Sequence, residues 1–99
     1  MLMKVSNLCY ALDRATLAGS QEDWGENSQA LFDLYKSLSK RLGEQVVRLA
    51  GEAADDVIAA VSSLILLPEE VECLPILHKS LETPVRPFTY LVTSQAISL

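Results

Sequence analysis

The chain has one histidine, two cysteines and one tryptophan among its 99 residues. Cys9, Cys73 and His78 are too few and too scattered for the clustered ligands of a zinc site. Four glycines and four prolines exclude a collagen-like or low-complexity chain. Basic residues number 8 against 13 acids, a formal charge of −5. No basic stripe is present to neutralise phosphates, which argues against nucleic acid and against an anionic membrane surface. The longest strongly apolar run, Val57–Leu67, has 11 residues, about half the ~20 that a helix needs to span a bilayer. The opening stretch is interrupted by Ser6, Asn7, Asp13 and Arg14 and does not read as a signal peptide. The cytoplasm is therefore the expected compartment, with Cys9 and Cys73 as reduced, buried thiols.

What is present is apolar. Hydrophobic residues make up 49 % and charged residues 21 %, the balance of a folded chain rather than a disordered one. The length suits one domain, residues 1–99. The mean hydropathy, +0.22, is high for so short a chain. A domain of this size buries only about 65 % of its unfolded surface. The surplus points to apolar surface covered by a second chain, either a copy or a partner.

Periodicity predicts an all-α fold, a small bundle of about four helices near residues 3–18, 21–42, 45–67 and 69–82. Leu2, Val5, Leu8, Leu12 and Ala15 make the first stripe, closed by Gly19. Ser28, Leu31, Tyr35, Leu38 and Leu42 make the second, with Lys36, Lys40 and Arg41 loading its C-terminal end and Gly43 as a stop. Val46, Ala50, Ala53, Val57, Ala60, Leu64 and Leu67 recur at four and three without a miss, as a heptad does. Gly51 is an alternative break in this third helix, which would leave Asp55 and Asp56 in an acidic first turn. Pro68 starts the fourth, and Pro75 kinks or divides it. Residues 88–99 carry no charged side chain and form an apolar C-terminal segment, helical or extended.

Catalytic groups are sparse. A Cys–His nucleophilic pair would have to recruit His78, and no motif surrounds either cysteine. The acids Glu22/Asp23/Glu26, Asp55/Asp56 and Glu69/Glu70/Glu72 sit where helix starts and solvated helix faces favour them. Neither a cofactor nor a metal is implied.

These features predict a non-enzymatic protein-binding module, an adaptor, inhibitor or regulator that pairs with itself as a homodimer or with a protein partner. The expected contact residues are Ala50, Ala53, Val57, Ala60 and Leu64 on the third helix, Trp24 as an anchor, and Phe88, Leu91 and Val92 in the tail. Two other functions fit the composition. One is a small-molecule-binding bundle using Trp24, Tyr35 or His78. The other is an acidic decoy for a basic protein.

Overall fold

A computed structural model describes residues 1–18, 25–82 and 92–93, with the backbone alone described at 17 and 18. The chain is mostly helical, with one small sheet that periodicity did not foresee. In order, the elements are β1 (Leu2–Lys4), α1 (Val5–Ala18), α2 (Gly25–Leu42), β2 (Val46–Arg48), α3 (Ala54–Ser62), α4 (Pro68–Glu72) and α5 (Leu74–Leu81).

The expected helix over 45–67 is not formed as one piece. Its first residues pair antiparallel with the chain's opening residues, Met3 opposite Val47 and Lys4 opposite Val46. The ladder extends through Leu49 N–H to the Met1 carbonyl at 2.8 Å and Val5 N–H to the Gln45 carbonyl at 2.8 Å. Burial explains the choice. Val47 and Leu49 are buried while Val46, Arg48 and Ala50 are exposed, a period of two rather than 3.6. The heptad match at Val46, Ala50 and Ala53 is coincidental, and the real helix starts only at Ala54. Asp55 and Asp56 then occupy its first turn, where the helix dipole favours acid. The first helix likewise starts at Val5, because residues 2–4 are drawn into the sheet.

α2 stops at Leu42 because the next residue must approach the helix closely. A Cβ on Gly43 would lie 2.4 Å from the Ser39 carbonyl oxygen. The turn then returns the chain to the α1 entrance, where Ser6 N–H donates to the Gly43 carbonyl at 3.2 Å. Proline divides the fourth predicted helix. Pro68 opens α4, and Pro75 sits in the first turn of α5, with Cys73 between the two helices.

The core joins the stripes of α1 (Leu8, Leu12, Ala15) and α2 (Leu31, Leu34, Leu38) to Met3, Val47, Leu49, Val57, Val61 and Leu77. Contacts run from Ser6 beside Gly43 to Thr16 beside Tyr35, so α1 and α2 lie antiparallel. α3 packs chiefly on α5, and β2 lies against α3. Val92, helical in backbone, is fully buried in the same core. Trp24 and the tail residues Phe88 and Leu91 lie outside the described residues.

Candidate functional site

The antiparallel packing of α1 on α2 leaves an open groove of about 260 Å³ between them. Cys9 and Tyr35 are buried beneath it, and Tyr10 and Phe32 stand at its two sides. Those two rings are 46 % and 41 % exposed, large apolar groups that the core leaves to solvent. Each carries a cation from one turn further along its own helix. The Arg14 guanidinium lies 5.3 Å from the Tyr10 ring centre, and the Lys36 ammonium 5.4 Å from that of Phe32. Lys36 and Asp13 line the groove itself, and Arg14 adds a second positive charge against the Tyr10 ring.

The groove floor is chemically quiet. Thr16 Oγ1 donates to the Leu12 carbonyl at 2.8 Å, which leaves that oxygen to accept from the Tyr35 hydroxyl at 3.2 Å. Burial pushes the Tyr35 phenol well above its ordinary range. Burial, with the negative charge of Glu70 adding to it, pushes the Cys9 thiol up to about 12. Cys73 is also raised, first by burial and then by Glu72, Asp33 and Glu70. Its thiol faces the Glu69 carbonyl at 3.4 Å. A thiolate nucleophile needs the opposite environment.

His78 is held between two carboxylates, with Nε2 2.8 Å from Asp55 on α3 and Nδ1 3.1 Å from Glu82. The Asp55 hydrogen bond chiefly raises its pKa, against a lowering by partial burial. Among the described residues no three His, Cys, Asp or Glu side chains come together so as to hold a metal ion.

The most engaged acid is one that the sequence placed on a solvated helix start. Glu70 is 2 % exposed. Its carboxylate pairs with the Arg41 guanidinium and accepts from Ser37 Oγ at 2.5 Å and from Leu67 N–H at 2.7 Å. The Leu67 contact is the carboxylate half of a capping box, with Glu70 three residues past the N-cap. That spacing was visible in the sequence, but the partners on α2 were not. Glu70 thus ties α4 to the far flank of α2, away from the groove.

The expected contact residues are dispersed by the fold. Val57, Ala60, Leu64 and Val92 meet inside the chain's own core. Ala50 follows β2 and Ala53 caps α3, and both are exposed. Trp24, Phe88 and Leu91 lie outside the described residues. Tyr10 and Phe32 were missed as a pair because they lie 22 residues apart on separate helices. Each was legible only as a large apolar residue off its helix's buried stripe. No helix among the described residues is long and apolar enough to cross a membrane. Comparison with protein-family models, with curated proteins and with solved structures finds no match.

Proposed function

We propose that the chain is a protein-binding module without catalytic chemistry, and that its receptive face is the α1–α2 groove. The observation that carries this reading is the pair of half-exposed rings, Tyr10 on α1 and Phe32 on α2, that line one groove. Aromatic residues around a small pocket are the usual anatomy of an interface hot spot. The stacked Arg14 and Lys36 suit a segment that presents apolar side chains beside acids. The volume favours a side chain over a metabolite. At about 260 Å³ and open to solvent, the groove falls below the ~300–1,000 Å³ of ordinary small-molecule sites. A decoy role has less support, because two of the acids among the described residues are already engaged within the chain. Glu70 is buried with Arg41, and Asp55 is engaged by His78.

Fluorescence anisotropy with two labelled synthetic peptides tests the reading. One carries Leu and Ile interleaved with Glu, the other the same apolar residues with Lys. The acidic peptide binds and the basic one does not. Tyr10→Ala and Phe32→Ala each weaken binding about tenfold, a hot-spot loss, while circular dichroism stays unchanged. Binding that is absent, or equal in the wild type and both variants, removes the groove as a receptive face.

A further inference from the structure

Resting on the groove reading above, we propose that the groove's occupant is a second copy of this chain, seated head to tail. The inserted element is the corner between α3 and α4, which carries Ile65 and Leu67, together with Val71 on α4. Ile65 is 74 % exposed, the most exposed of the large hydrophobic side chains described, and Leu67 and Val71 are exposed beside it in sequence. These three side chains fall within seven residues and are the exposed large apolar groups of this part of the described chain, an apolar knob. The exposed acids Glu69 and Glu72 flank it.

The knob is held in place rather than dangling. Arg41 donates to the Ile65 carbonyl at 3.0 Å and pairs with the buried Glu70, while Leu67 N–H donates to Glu70. A rigid, preorganised knob loses little freedom on docking.

Charge distinguishes the partners. Lys36 and Asp13 line the groove and Arg14 stacks on the Tyr10 ring, whereas Glu69 and Glu72 flank the knob, where Arg41 is already paired with Glu70. Knob into groove brings opposite signs together. Groove against groove, or knob against knob, brings like signs together and is disfavoured.

Placement on α2 sets the symmetry. Phe32 and Lys36 line the groove, whereas Ser37 and Arg41 hold the knob through Glu70. At about 100° per residue, Ser37 is turned about 140° from Phe32. The two surfaces therefore face away from each other on opposite flanks of one helix. A molecule that offers complementary patches on opposite flanks joins its copies heterologously, and the chain of contacts continues until it closes in a ring.

Light scattering during size-exclusion chromatography, from micromolar to millimolar protein, tests this with two exposed-site variants. Phe32→Asp blocks the groove and leaves the knob; Ile65→Asp blocks the knob and leaves the groove. The wild type grows beyond a dimer as concentration rises, and each variant alone runs at 10.9 kDa. Their equimolar mixture forms a dimer of twice 10.9 kDa and stops there, since one competent contact remains. A second pair, Lys36→Glu and Glu72→Lys, reads the same contact through charge. Each alone weakens assembly about tenfold and mixing restores it. A wild type that stays monomeric throughout overturns the second-copy occupant, while the peptide titration still decides the groove. Variants that lose assembly but do not recover it on mixing overturn the head-to-tail arrangement.

Discussion

Removing the Glu70 carboxylate should cost more than any other single charge change among the described residues. In Glu70→Ala, three donors lose their acceptor: Leu67 N–H, the Ser37 hydroxyl and the Arg41 guanidinium. A hydrogen bond to a charged group is worth roughly 1.5–3 kcal/mol. Breaking a buried ion pair by removing one partner costs roughly 3–5 kcal/mol. The Arg41 side chain is 32 % exposed, so water re-solvates it in the variant and its share must be discounted. The expected loss is then about 2–4 kcal/mol, a large part of the ~5–15 kcal/mol that stabilises a typical domain. At about 4–8 °C per kcal/mol for a domain of this size, the melting temperature falls by roughly 8–32 °C. Glu70→Gln keeps the shape and one acceptor and should lose about 1–2 kcal/mol. The control is Glu44→Ala. Glu44 pairs with Lys4 at 3.5 Å but its side chain is 92 % exposed, so the loss should stay within about 0.5 kcal/mol. Urea denaturation followed by circular dichroism at neutral pH measures all three. A loss below about 1 kcal/mol in Glu70→Ala would refute the view that this carboxylate fastens α4 to α2. A double-mutant cycle between Ser37→Ala and Glu70→Gln should show a coupling of about 1 kcal/mol, and additivity would disconnect them.

His78 makes stability depend on pH in a stated direction. A neutral imidazole has one N–H and can donate to only one of Asp55 and Glu82, whereas the imidazolium donates to both. The folded pKa is therefore raised, so this contribution is complete below the unfolded value of ~6.5 and is lost as pH rises through the folded value. The melting-temperature gap between the wild type and His78→Gln should be wider at mildly acidic pH than at alkaline pH; a gap that is constant or widens with pH contradicts the clamp. Gly43→Ala places a Cβ 2.4 Å from the fixed Ser39 carbonyl and should cost about 1–3 kcal/mol in urea, and a neutral result would show that the turn relaxes freely. Both thiols are raised, so iodoacetamide at neutral pH should label Cys73 slowly and Cys9 only on unfolding. Mass spectrometry showing either cysteine reacting faster than a free thiol would reverse that reading.

Local chemistry accounts for the parts of this molecule that the sequence determined by itself. The stripes Leu8–Leu12–Ala15 and Leu31–Tyr35–Leu38–Leu42 are buried because helical spacing puts them on one face, whatever lies opposite. Gly43 ends α2, Pro68 opens α4 and Pro75 divides α4 from α5 through properties of those residues alone. Asp55 and Asp56 belong to a helix start wherever that helix packs. Only the tertiary structure decided the rest. Val46 fitted a helical repeat, yet Val46–Arg48 became a strand because Leu2–Lys4, more than 40 residues away, supplied its hydrogen-bond partners. Glu70 left the solvated surface because Arg41 and Ser37 were brought to it by the packing of α2. Tyr10 and Phe32 became the two sides of one groove only when α1 and α2 came together antiparallel. In each case the deciding partner lies far along the chain, and no local spacing rule can name it.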